Sequence, residues 1–310
     1  MKTSNLFIAI LATLLLLSCG KSDNNGQLVN NQQVTVSANI TNYTRAGYEN
    51  GVLLPEKFVM DIIQGVEDRF DYSLVEMTKS TGANLYFAPN DVELLWASDT
   101  HSATVKALTI PFGLNEVKAE GVMAIGVSLS QNYAHNVAAS DLLGASSLQN
   151  EGITITGNNI IIEFKHLLSK LDVKIKFASE FDENSVAINS MVLQNICTSG
   201  GYSYAEMDYD ATNLKYGDIT MYYSADASKA EAIFYPYNPT SNPTLLIDAT
   251  IDNVDYTFTC PVVPNSAEGF ISGKRYTMSV TIVGASVDGT DATIANGWDN
   301  NTEDESFVTQ

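Results

Sequence analysis

The chain has 310 residues, 45% of them hydrophobic and 17% charged, which is enough for a sizeable core in one large or two medium domains. Its formal net charge is -20, from 16 Lys and Arg against 36 Asp and Glu. That balance excludes nucleic acid as a partner, because a phosphate footprint needs clustered basic side chains, and it suits a solvated extracellular surface.

From the N-terminus, Lys2 is followed by a nearly unbroken apolar run, Leu6 to Leu17. About a dozen such residues fall short of the roughly 20 that span a bilayer. Residues 1–18 therefore read as an export signal, removed on maturation. Leu16-Leu17-Ser18-Cys19-Gly20 at its end resembles a bacterial lipobox, in which the cysteine thiol is acylated and the chain is cut before it. Leu17 stands where a smaller or β-branched residue is more usual. Cys19 is thus the expected lipidation site. Residues 19–30 include Lys21, Ser22, Asp23, Asn24 and Asn25, carry too little apolar surface to fold, and read as a flexible tether.

Period-two alternation begins at Val34. Val34, Val36, Ala38 and Ile40 point one way and Thr35, Ser37, Asn39 and Thr41 the other, the pattern of a half-buried strand. Asn42 to Gly51 is polar and glycine-bearing, a loop. Strand-like runs follow at Phe58 to Ile63, Asp71 to Thr78, Asn84 to Phe87, Val92 to Trp96 and Gly121 to Leu129. Helix is confined to Ala138 to Leu148, where Ser140-Asp141 offers a capping signal, and to His166 to Lys170. Gly157-Asn158-Asn159 separates Ile153 and Ile155 from Ile160, Ile162 and Phe164 as a hairpin turn. Leu171, Val173, Ile175 and Phe177 then alternate with Asp172, Lys174 and Lys176. Further strands are expected at Ile188 to Leu193, Ala230 to Tyr235, Thr244 to Ile251, Asp255 to Cys260 and Arg275 to Val283. Many short strands at near-regular spacing predict an all-β fold of β-sandwiches. The expected organisation is an N-terminal sandwich domain over 31–156, a C-terminal one over 157–298 and an acidic tail over 299–310.

Catalytic motifs are missing. His101, His135 and His166 are the three histidines, and none is paired with another His and a Glu at helical spacing. No glycine-rich phosphate loop or Gly-x-Ser-x-Gly elbow occurs. Glu93, Glu151, Glu163, Glu206 and Glu231 are of the right type for a glycosidase pair, but that chemistry needs a fixed separation across a cleft. Asp208-Tyr209-Asp210 and Asp288-Gly289-Thr290-Asp291 read as turns, since neither continues into a complete calcium loop. The tyrosines from Tyr202 to Tyr237 read as strand residues with buried rings and wet hydroxyls. His166 and Trp298 are expected to be structural. No metal or cofactor is expected. Whether Cys197 and Cys260 form a disulfide is left open, because spacing alone does not fix their separation.

Three segments in this order resemble the fimbrillin family, pilus subunits and pilus-like lipoproteins of anaerobic Gram-negative bacteria. They are Val34 to Ile40 followed by Thr44-Arg45-Ala46, Phe164 to Val173, and Gly273 to Val280 ending with Ile294 and Trp298. Asp141-Leu142-Leu143 is a weaker fourth. The resemblance implies two tandem β-sandwich domains of transthyretin-like, Greek-key topology, no catalysis, and lipid anchoring at the outer membrane. It implies partners: other fimbrillin-like subunits and a host or bacterial surface ligand. It also implies maturation, in which an Arg-specific protease cuts between Arg45 and Ala46, the strand carrying Val34, Val36, Ala38 and Ile40 leaves, and a neighbour's strand takes its place. The polar tail after Trp298 lacks a long alternating strand and favours an accessory, tip or anchor role over a stalk role. The rival reading is a glycan-binding surface lipoprotein of an outer-membrane uptake system. Trp96 and Trp298 are few for exposed sugar platforms.

Overall fold

The computed structural model of the chain describes residues 32–40, 54–81, 84–178, 185–224, 228–283, 286–290 and 293–294. Over these residues the fold is mostly β, as the alternation requires. The first strands are β1 (Thr35–Ile40), β2 (Lys57–Ile63), β3 (Tyr72–Lys79), β4 (Leu85–Phe87), β5 (Thr104–Thr109) and β6 (Val122–Gly126). After the short helix α1 (Ala134–Ser140) come β7 (Leu143–Ser146), β8 (Ile153–Thr156), β9 (Asn159–His166), β10 (Ser169–Phe177), β11 (Val186–Ser203) and β12 (Asp208–Thr220). The chain continues with β13 (Tyr222–Tyr223), β14 (Lys229–Phe234), β15 (Thr244–Ile251), β16 (Val254–Pro261), β17 (Arg275–Val283), β18 (Ser286–Gly289) and β19 (Thr293–Ile294).

Strand β1 lies antiparallel to β4 and parallel to β9, so the path β1-β4-β3-β2-β5-β7-β9 returns to β1. Seven strands form a barrel-like ring, with β8 added to β9. Closure removes the free edges that an open sheet leaves. Alternation sends Val36, Ala38, Phe58, Met60, Tyr86, Ile160, Ile162 and Phe164 into one buried cluster. The Phe58 ring sits 4.7 Å from Tyr86 and 5.1 Å from Phe164, so side chains fill the interior. β2 is buried on both faces: Val59 joins Leu108 of β5 in a second, larger cluster. Asp61 shares that outward face, and its cross-strand partner Lys106 sits 3.2 Å away.

Two sheets supply the second cluster. One runs β13-β14-β10-β17-β18, with β19 also on β17, and the other runs β12-β11-β15-β16, with β6 on β11. Val173, Phe234 and Val280 from the first meet Met191, Leu193 and Ile247 from the second. Both clusters lie within one compact unit.

The expected domain boundary lies at residue 156/157. That point falls in the β8–β9 hairpin, which pairs from Ile153↔Ile162 to Thr156↔Asn159. β9 completes the ring, whereas β6 leaves it and pairs with β11 from Ser199↔Gly126 to Ser203↔Val122. β1 bridges β4 and β9 and so closes the seven strands into the ring.

The helix expected at Ala138 to Leu148 instead ends at Ser140. Leu143–Ser146 is β7, four buried residues between β5 and β9, where two ladders override a weak local preference. His166 to Lys170 is likewise the passage from β9 into β10 and not a helix. Of Val92 to Trp96, only Leu95 forms a bridge, to Gln33. Asp208-Tyr209-Asp210 opens β12 and is not a turn.

Candidate functional site

β1 is the candidate displaced strand. Val34 (6% exposed), Val36 (2%) and Ala38 (0%) are buried in the ring's cluster, and Ile40 packs at its margin. Burying each valine contributes about 1.5–3 kcal/mol. Against β9 the strand keeps parallel register along its whole length, from Thr35↔Asn159 to Ile40↔Phe164. Against β4 only Val36↔Tyr86 and Ser37↔Leu85 pair, flanked by Ala38 N–H donating to Asn84 O at 3.0 Å and Val34 N–H donating to Leu94 O at 2.9 Å. The outward residues make polar contacts. The Asn159 side-chain amide donates to Ser37 Oγ at 3.2 Å, and that of Asn84 donates to Asn39 Oδ1 at 3.0 Å. Taking β1 away would open the ring, uncover Tyr86, Ile160, Ile162 and Phe164, and leave unpaired edges on β4 and β9. Arg45, Ala46, Cys19 and Trp298 lie outside the described residues.

The ladder does not stop at β9. The chain turns from β9 into β10, and β10 runs parallel to β17 from Lys170↔Arg275 to Phe177↔Ile282. Two segments far apart in sequence, one at each end, thus lie along successive parts of one path through Phe164 to Val173. Residues 30–298 match the sequence pattern of the fimbrillin-like family. The chain belongs to the fimbrillin-like family. No curated protein matches it. Among solved structures, it is similar to a candidate cell adhesion protein of Bacteroides uniformis, at 17% identity and TM-score 0.60, covering 88% of this chain and 99% of that one. It is also similar to one of Bacteroides ovatus, at 16% identity and TM-score 0.59, covering 86% and 98%. At such identities the likeness is one of fold.

In this fimbrillin-like chain the β10–β17 junction holds a charge cluster that alternation alone does not reveal. Lys170 is 1% exposed, with its ammonium 2.6 Å from Glu231 and 3.4 Å from Asp172. Arg275 Nε donates to Asp172 at 2.5 Å. Burial alone would lower the Lys170 pKa, but Asp172 and Glu231 outweigh it and hold the ammonium above its ordinary value. Burial pushes Glu231 upward. The signal in the sequence is weak: Lys170 and Asp172 share the polar face of a strand whose other charges suggest solvent.

The tyrosine-rich stretch is core. Tyr202, Tyr204 and Tyr235 are fully buried. Their hydroxyls are not wet: Tyr235 donates to Gly201 O at 2.6 Å, Tyr204 to Lys106 O at 3.4 Å, and partly buried Tyr209 to Leu167 O. Burial raises all four pKa values. A Cβ on Gly200 would meet the Tyr235 ring at 2.4 Å, so β11 needs glycine there. Tyr216 remains exposed.

The other candidate groups do not converge. His101 pairs with Gln32 at 3.0 Å, His135 stacks on Tyr133, and His166 Nδ1 meets an Asp141 carboxylate oxygen at 2.8 Å. Glu93, Glu163 and Glu206 are exposed, and Glu151 pairs with Lys165 at 3.1 Å. An open depression of about 410 Å³ beside β12, lined in part by Glu120, Glu206, Asp208 and Asp210, has no His or Cys on its wall. Among the described residues no three His, Cys, Asp or Glu side chains group to hold a metal. Cys197 and Cys260 are buried free thiols. Burial pushes the Cys197 thiol up to about 11, which keeps it from acting as a nucleophile at neutral pH.

Proposed function

We propose that this chain is a non-enzymatic fimbrial surface lipoprotein, a structural or accessory (tip or anchor) subunit of a pilus assembled by strand exchange, with a role in adhesion. Cys19 carries the lipid that holds it at the outer membrane. An Arg-specific protease cuts between Arg45 and Ala46, β1 leaves, and a strand from another fimbrillin-like subunit enters the slot. In this reading the ring is the exchange module, and the two facing sheets are a sandwich that stays intact.

The observation that carries the reading is β1 itself. Its apolar face is buried while its two lateral ladders are unequal, so a single short segment completes both a core and a closed sheet. A strand from another chain would supply the same main-chain bonds for affinity and the same alternating side chains for specificity. Family membership and adhesion proteins of like fold support a surface role. Two variants test it in the native host. Cys19→Ala should lose fatty-acid labelling and release the protein from the membrane. Arg45→Ala should stay anchored and monomeric, with no entry into fibres. Normal labelling of the first variant removes the lipid anchor, and fibres of the second remove the maturation step.

A further inference from the structure

The slot that β1 fills has a second apolar surface, on the outside of the ring, which β1 does not match. Alternation along β4 puts Tyr86 inside and leaves Leu85 (42% exposed) and Phe87 (59%) outside. Ser37 is the residue between two apolar neighbours on that outer face, paired with Leu85 on β4 and with Ile161 on β9. The row Leu85–Ser37–Ile161 is therefore apolar except at its centre. Directly opposed side chains on one face interact, and apolar or β-branched pairs are favoured over a polar residue facing apolar ones.

We propose that Leu85 and Ile161 are specificity residues of the slot, selecting a partner strand with an apolar, β-branched residue where β1 carries Ser37. Such a strand is apolar on both faces at its midpoint and covers outward surface that the resident strand leaves open. The inference rests on the exchange reading above and adds the partner's chemistry: the occupant is a strand from another chain, better matched than β1. Exchange then runs downhill even though the inner face is filled equally well before and after. Asn159 bonds to the side chain of Ser37, so the cost of losing Ser37 is one neutral, part-buried hydrogen bond.

The test uses the full chain cut after Arg45, with β1 still seated, and two labelled synthetic peptides. One has the natural sequence Gln33 to Thr41, and the other carries Ser37→Val. The Val peptide should displace the resident strand with about fivefold higher affinity, and Leu85→Ser in the protein should erase that preference. Equal affinity of the two peptides overturns the proposal while leaving exchange standing. Failure of both peptides to enter overturns the exchange reading and the proposal with it. A separate measurement avoids the cut. Ser37→Val in the intact chain should raise the thermal midpoint, and a lower midpoint, in a variant that still folds, contradicts an apolar row.

Discussion

The ring and the two-sheet body are built from the same alternating strands but are held in different ways. The ring's interior is mainly apolar contact, from Val36 and Ala38 on β1 to Phe58, Ile162 and Phe164, with Tyr86 donating to Pro55 O at 2.7 Å and Trp96 Nε1 to Asn158 O at 3.2 Å. The body adds directional bonds within and beside its cluster: the Lys170, Asp172, Glu231 and Arg275 charges and the hydroxyls of Tyr204, Tyr209 and Tyr235. Apolar contact is tolerant of substitution as long as pattern and volume are kept. Directional networks are not, because every member must find its partner in the dry interior. In the function proposed, this difference is a division of labour: a segment that another strand would replace is set beside a body that one sequence specifies.

Four outcomes would sharpen or break that contrast. The largest effect should follow Lys170→Met, which leaves two enclosed carboxylates facing one another. Chemical denaturation should show a loss of about 3–5 kcal/mol, partly recovered by adding Glu231→Gln. Second comes Ala38→Asp, which places a charge at a fully buried position of β1. It should expel the strand at a cost of about 2–4 kcal/mol. Near-ultraviolet signals of the body's tyrosines should persist, and their collapse in this variant would show that the two regions are not separable. Third, Tyr235→Phe leaves the Gly201 carbonyl without its phenol donor and should cost about 1–1.5 kcal/mol, with β1 protection unchanged.

The fourth outcome is a pH dependence. Tyr202, Tyr204, Tyr209 and Tyr235 have pKa values raised above the ordinary 10.0, and Lys170 is raised above 10.5. A group whose folded value exceeds its unfolded one contributes stability that is complete below the unfolded value. That contribution is lost as pH climbs through the folded value. Stability should therefore decline above pH 10, and these phenols should ionise, by absorbance, only as the body unfolds. Early ionisation of all tyrosines in a folded sample would contradict their burial. Cys197 should escape thiol reagents at neutral pH until the same transition.

Much of this contrast was legible in local pattern. Val34, Val36, Ala38 and Ile40 announce a buried face because period two is a property of the segment itself. The partner of that face is not local: β9 lies more than a hundred residues away, so closure into a ring left no mark on the alternation. At 156/157 the turn read from Gly157-Asn158-Asn159 joins β8 to β9, two strands of one sheet. Gly200 sits within β11 because the Tyr235 ring occupies its Cβ space, a requirement set by a strand distant in sequence. Lys170 was hidden by its own strand, since the polar face of β10 is covered by Glu231 on β14 and Arg275 on β17.

The replaceable strand is the central claim, and hydrogen exchange before and after cutting tests it most directly. Full-length protein is digested briefly with an Arg-specific protease, and amide protection is followed along β4 and β9 by mass spectrometry. A new N-terminus should appear at Ala46. Loss of protection should be confined to the edges of β4 and β9 that β1 covers, with unchanged protection in β10, β11 and β17, and protection should return as oligomers form. A cut chain that keeps β9 protected as a monomer, or one that loses protection throughout the body, would contradict it.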